Sequence, residues 1–146
     1  MSLLAKLETI VQLKSSGDKF YDFYKNNFKD LLHVLPENLK SARTLEGKDA
    51  QVGCVQLWEY YLGTPLVIKM RLDAVDDQKK SITYSVVDGD LKKLYKSFLF
   101  KSEINGNTLK WTMEYEKANE EAPDADLYIA FATKIATALD AYLVNH

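Results

Sequence analysis

Leu7, Thr9, Val11 and Leu13 alternate with Lys6, Glu8, Gln12 and Lys14, a period of two broken only by Ile10, and Ser15-Ser16-Gly17-Asp18 ends the run. This predicts a first strand with one buried face, closed by a turn. Phe20, Phe23, Tyr24, Asn27 and Phe28 then recur at helical spacing, and Leu31, Leu32 and Leu35 continue to Pro36. With Ser16 or Asp18 placed to cap, two short helices breaking near Asn26-Asn27 are expected.

From 40 to 117 the signals become strands separated by tight turns: Glu46-Gly47-Lys48-Asp49, Leu62-Gly63-Thr64-Pro65, Asp76-Asp77-Gln78-Lys79, Asp88-Gly89-Asp90 and Asn105-Gly106-Asn107. Turns roughly a dozen residues apart predict an antiparallel meander. The sharpest is Asn105-Gly106, where a type I′ turn needs positive φ at both central positions and these residue types tolerate it. After Glu116 a polar stretch leads past Pro123 into a long helix, in which Leu127, Phe131, Ile135, Leu139 and Leu143 recur every four residues beside Tyr128, Ala132, Ala136 and Ala138. These elements predict an α+β class: a curved antiparallel sheet wrapped around the last helix and closed by pairing of the first and last strands.

Alternation assigns one sheet face to Gln56, Trp58 and Tyr60; Leu66, Ile68, Met70 and Leu72; Ile82, Tyr84, Val86 and Asp88; Phe98, Phe100, Ser102 and Ile104; and Leu109, Trp111, Met113 and Tyr115. The opposite face, with Lys69, Arg71, Asp73, Thr83, Ser85, Lys101, Glu103, Lys110, Thr112, Glu114 and Glu116, belongs to solvent. Tyr60, Tyr84 and Tyr115 bring hydroxyls to the inner face, and each needs a partner if buried. A packed core and a lined cavity give the same alternation, so the pattern leaves both open.

Composition narrows the function classes. The 146 residues make one domain, 1–146, of 16.7 kDa and net charge -2, with no basic cluster to follow a phosphate backbone, so nucleic acid is not an expected partner. Cys54 is the single cysteine, which excludes an internal disulfide, and it is read on the outward register. Lys6 and Glu8 interrupt the opening apolar run, and no later window offers ~18 uncharged apolar residues, so membrane insertion is not expected.

Three stretches resemble the major latex protein group, a plant branch of the birch-pollen-allergen and pathogenesis-related class 10 superfamily. They are Asp88-Gly89-Asp90-Leu91-Lys92-Lys93-Leu94-Tyr95-Lys96-Ser97-Phe98, the run from Leu109-Lys110-Trp111-Thr112-Met113-Glu114-Tyr115 to Glu120, and Ala5-Lys6-Leu7-Glu8. The resemblance implies a helix-grip fold: a seven-stranded antiparallel sheet, two short helices in a V and a long C-terminal helix over a hydrophobic cavity. It also implies flexible hydrophobic ligands such as sterols, flavonoids, cytokinins, fatty acids or alkaloids, and so favours a cavity over a packed core. Where the pathogenesis-related class 10 branch has a glycine-rich loop, Glu46-Gly47-Lys48-Asp49-Ala50-Gln51-Val52-Gly53 keeps only the first and last glycines, which fits the latex-protein branch. No P-loop ending is present, and nucleotide binding is not inferred.

The expected function is to carry or sequester a hydrophobic plant small molecule, a terpenoid, alkaloid, sterol or phenolic, without a cofactor or metal. The cavity is expected to be lined by Trp58, Tyr60, Met70, Tyr84, Phe100, Trp111, Met113, Tyr115, Phe131 and Ile135, with Phe28, Leu32 and His33 at its mouth. The alternative is a cofactor-independent cyclase or isomerase acting on a reactive terpenoid or alkaloid intermediate. Its proton-handling groups would be Tyr84, Tyr115, His33 and Asp88: phenols to hydrogen-bond a carbonyl, an imidazole of pKa ~6.5, and a carboxylate at the cavity rim. Plain structural roles compete with each, a solvent-facing helix position for His33 and turn chemistry for Asp88. A cytoplasmic protein is expected from the single cysteine and the interrupted opening apolar run, and a monomer from an exposed register without an extended apolar interface.

Overall fold

The computed structural model describes residues 3–146. Strand β1 (Leu4–Gln12) leads into helix α1 (Gly17–Asn26), a 3-10 turn (Phe28–Asp30) and the single-turn helix α2 (Leu31–Val34). Six strands follow: β2 (Leu39–Glu46), β3 (Val55–Tyr61), β4 (Pro65–Asp76), β5 (Ser81–Gly89), β6 (Tyr95–Asn105) and β7 (Thr108–Lys117). Helix α3 (Asp126–Asn145) ends the chain.

The strands form one antiparallel sheet in the order β1-β7-β6-β5-β4-β3-β2. The first strand does pair with the last, Leu7 opposite Met113 and Val11 opposite Leu109. That pairing does not close the sheet: β1 and β2 are its two edges, and α1 and α2 span the chain between them. Register shifts in β2–β3, β4–β5 and β6–β7 add local twist.

Local chemistry accounts for the ends. The Ser16 hydroxyl accepts from Lys19 N–H at 3.0 Å, so Ser16 rather than Asp18 is the cap of α1. The β6–β7 hairpin closes one residue later than its sequence suggests. Asn105 still pairs with Thr108, and Gly106 at φ +61° takes the first central position, with Asn107 at ordinary negative φ, the requirement of a type II′ turn.

β5 and β6 pair only where Ser81 to Ser85 face Glu103 to Leu99. Beyond Ser85 they part, β5 following β4 and β6 following β7, and a 3-10 turn (Asp90–Lys93) sits in the opening. Gly89 makes the exit possible: its φ of +106° and ψ of -166° lie in a region essentially closed to side-chain-bearing residues, and a Cβ there would overlap the Val67 carbonyl oxygen. Gly89→Ala is therefore expected to cost about 3 kcal/mol by chemical denaturation, and a cost below about 1 kcal/mol would show that the turn relaxes freely.

The inner face is buried nearly as alternation predicts, from Gln56 at 0% exposure through Trp58, Leu72, Tyr84, Leu109 and Trp111 to Tyr115. The outer face holds exposed ion pairs such as Lys110–Glu8 and Arg71–Asp73, both at 2.7 Å, of a kind worth little to stability. Three positions face otherwise than alternation or helical spacing predicts. Asp88 faces solvent and accepts from the Gly89 N–H at 2.8 Å, because β5 shifts register before it. Cys54 is buried, sharing its parity with Gln56, and burial pushes its thiol upward in pKa. On α3 the buried stripe runs through Ala132, Ala136, Leu139 and Leu143, leaving Leu127 exposed.

Helix α3 is fixed by polar ties as well as by this stripe. The Asp140 carboxylate, buried, accepts from Lys14 N–H and Ser15 N–H at 2.8 Å each and from the Ser15 hydroxyl at 2.5 Å. Lys134 donates to the Asn38 side-chain oxygen at 2.8 Å, while Asn38 donates to the Tyr61 carbonyl. Lys19 donates to the Leu143 carbonyl at 2.9 Å. Asp126, Lys134 and Asp140 interrupt the one helix, among the described residues, long and apolar enough to cross a bilayer, and that helix is the one the sheet holds.

Candidate functional site: a cavity between the sheet and helix α3

Between α3 and the inner face of the sheet lies a cavity of about 140 Å3. β3 and β4 supply Trp58, Tyr60, Ile68 and Met70; β6 and β7 supply Phe98, Phe100, Trp111 and Met113. From α3 come Tyr128, Phe131, Ala132 and Ile135, from α1 Tyr24, from α2 Leu31, from the start of β2 Leu39, and from the 3-10 turn in the sheet opening Leu91. No charged side chain is among them.

Eight of the residues expected to line the cavity do so: Trp58, Tyr60, Met70, Phe100, Trp111, Met113, Phe131 and Ile135. Tyr84, Tyr115, Phe28 and Leu32 are not in the lining. Phe28 is buried behind it, packed on Trp58 with ring centroids 6.2 Å apart. The short helix brings Leu31 to the cavity instead of Leu32, and His33 is exposed on its far side. Leu39, Ile68, Leu91, Phe98 and Ala132 are lining residues beyond that expectation, although Ile68 and Phe98 carried the inward register and Ala132 lay beside the helical stripe.

The tyrosines divide into two groups. The Tyr84 hydroxyl accepts from Gln56 Nε2 at 3.2 Å, and Gln56 Oε1 accepts from the Trp58 indole N–H at 2.9 Å, two linked hydrogen bonds in the core. Burial raises the Tyr84 phenol to about 12, with the Gln56 hydrogen bond acting against it. The Tyr115 hydroxyl accepts from Ala125 N–H at 3.1 Å, at the start of α3. It thereby satisfies one of the amides a helix N-terminus leaves free. Tyr24, Tyr60 and Tyr128, by contrast, line the cavity, and burial raises the pKa of each with no hydrogen bond contributing. All three are neutral donors at pH 7.

Of the four groups considered for proton transfer, none stands in the lining: Tyr84 and Tyr115 are committed to Gln56 and to α3, and His33 and Asp88 face solvent. Tyr115→Phe is accordingly expected to cost about 1 kcal/mol of stability through the lost cap and to change ligand affinity less than twofold. Parallel melting and titration curves check this, and a loss of affinity without a loss of stability would return Tyr115 to the site.

Residues 2–146 match the pathogenesis-related protein Bet v 1 family. The chain belongs to this family. Within it the chain is 33% identical to MLP-like protein 28 of Arabidopsis thaliana over 98% of its own length and 45% of the relative's. It thus spans about half of that protein, whereas it covers 92% of major latex protein 146 of Papaver somniferum, at 35% identity. A crystal structure of ginseng major latex-like protein 151 from Panax ginseng superposes with a TM-score of 0.93 at 30% identity, covering 96% of this chain and 97% of that one. Members of the Bet v 1 family generally bind hydrophobic ligands.

Proposed function

We propose that this Bet v 1 family chain carries or sequesters a hydrophobic small molecule of plant specialised metabolism, a terpenoid, phenolic, sterol or alkaloid, in the cavity under α3. The observation that carries this reading is an unfilled, uncharged space of about 140 Å3 in an otherwise buried aromatic core. At ~24 cal/mol per Å3, such a void forgoes about 3 kcal/mol of stability. An occupant recovers that loss through the area it buries, and lining hydroxyls orient it. The space is below the ~300 Å3 usual for drug-sized ligands, so a multi-ring ligand requires displacement of α3 or of the Leu91 turn.

Native mass spectrometry after incubation with a panel of neutral terpenoids, phenolics and sterols tests the proposal. Retention of an unchanged compound at unit stoichiometry is the expected result. Failure of every compound to be retained, or chromatography of the released compound showing a new isomer of the same mass, would contradict a carrier.

A further inference from the structure

Ile10 breaks the alternation of β1, and the structure leaves it on the outer face, 69% exposed, with Leu4 near the other end of the same row equally exposed. Between them stand Lys6 and Glu8, so the outer row reads apolar, positive, negative, apolar. Turned end for end about Leu7, this row keeps its polarity and reverses its charges. It is complementary to a second copy of itself.

β1 is also an open edge. β7 pairs with it on one side, from Leu4 opposite Glu116 to Gln12 opposite Thr108 without a register shift, and among the described residues no strand lies on the other side. The opposite edge, β2, is interrupted by register shifts between Leu39 and Ser41 and between Thr44 and Glu46, irregularities of the kind that blunt an edge against further pairing. The inward side chains of β1 are incompletely covered as well. Ala5, Leu7 and Val11 pack on the core but stay partly exposed, whereas Tyr115, Met113 and Leu109, opposite them on β7, are buried.

We propose that β1 is a homodimer interface, in which two copies of this chain pair antiparallel through the open edge about a two-fold axis at Leu7. In that register Lys6 of each copy stands opposite Glu8 of the other, Leu4 opposite Ile10, and Leu7 opposite Leu7. Charge selects the register. A slip of two residues, the smallest that keeps inward side chains inward, sets Lys6 against Lys6 in one direction and Glu8 against Glu8 in the other, and like charges directly opposite disfavour pairing. Lys6 is available for the exchange, because its 3.4 Å contact with Glu8 of its own chain is exposed and weak. The interface is separate from the cavity under α3, whose lining includes no residue of β1.

Sedimentation equilibrium from micromolar to millimolar protein tests this, and the wild type is expected to show a monomer–dimer equilibrium. Lys6→Glu and Glu8→Lys each put like charges opposite one another at both pairs, and each should weaken the dimer at least about tenfold. An equimolar mixture of these two variants, and the double variant Lys6→Glu/Glu8→Lys, restore unlike charges at both pairs and should recover association to within about threefold of the wild type. Glu8 also meets Lys110 of its own chain at 2.7 Å, so melting curves check that its variants are folded, and Lys6→Glu, which leaves that ion pair in place, reads the loss independently. A wild type that stays monomeric throughout, as the exposed register by itself suggests, a dimer that Lys6→Glu does not weaken, or a loss that neither the mixture nor the double variant repairs would overturn the inference.

Discussion

Replacing Asp140 by alanine is expected to destabilise the fold by about 4 kcal/mol and to lower Tm by about 10 °C at pH 7. Its carboxylate takes three hydrogen bonds from Lys14 and Ser15, and its removal leaves two backbone N–H groups and a hydroxyl without an acceptor where β1 turns into α1. Burial pushes this carboxyl up, yet the bonds from Ser15 and the two amides outweigh burial and hold it below the ordinary carboxylate value. A folded-state pKa below the unfolded ~3.9 means that the contribution is complete above that value and is lost as pH falls through the folded one. The Tm gap between the wild type and Asp140→Asn should thus be wide at pH 7 and narrow towards about pH 2. A gap that does not change with pH would mean that the carboxylate's charge is irrelevant.

Filling the cavity should separate binding from folding. Ala132 lines it from α3, and Ala132→Phe projects a ring into the space a ligand would use. Affinity for an apolar ligand is expected to fall at least ~100-fold, while Tm holds or rises by a few degrees because void is replaced by contacts. Calorimetry of the ligand-free variant together with titration reads both quantities. A variant that binds as well as the wild type would place the ligand elsewhere, and one that unfolds outright would show that the space is not free to receive a ring.

The strand arrangement could be read before any coordinates because each strand has one dry and one wet face, and period-two alternation records that directly. It failed where register changes: Asp88 follows a β-bulge, so parity counted along β5 no longer applied to it. The α3 stripe was misplaced for a geometric reason. A spacing of four overshoots a helical turn by about 40°, so Leu127 and Leu143 stand on widely different faces although they belong to one series. The Ala132, Ala136, Leu139 and Leu143 stripe, which mixes steps of three and four, is the one that follows the helix axis.

Of the site, residue types and facing were readable, and most of the lining follows from them. What alternation does not encode is whether facing side chains meet. Tyr84 and Trp111 have the same inward parity, yet one is tied to Gln56 in packed core while the other borders empty space with an unpaired N–H. Asp140 left one trace, an acid next to Leu139 on an apolar helix, and its partners Lys14 and Ser15 lie more than a hundred residues away in sequence. The resemblance to the major latex proteins, confirmed by the family match, favoured a cavity over a packed core, and the structure contains that cavity.

The central claim is that the space under α3 is a ligand site and not a packing defect. Met70 and Met113 lie on different strands and both border it, so 13C-methyl-methionine spectra report occupancy from two sides. Titration with neutral apolar compounds graded upward from a single ring should shift both methyl resonances saturably with one dissociation constant, and the shifts should vanish in Ala132→Phe. Saturable binding detected by calorimetry while both methyl resonances stay in place would contradict the account.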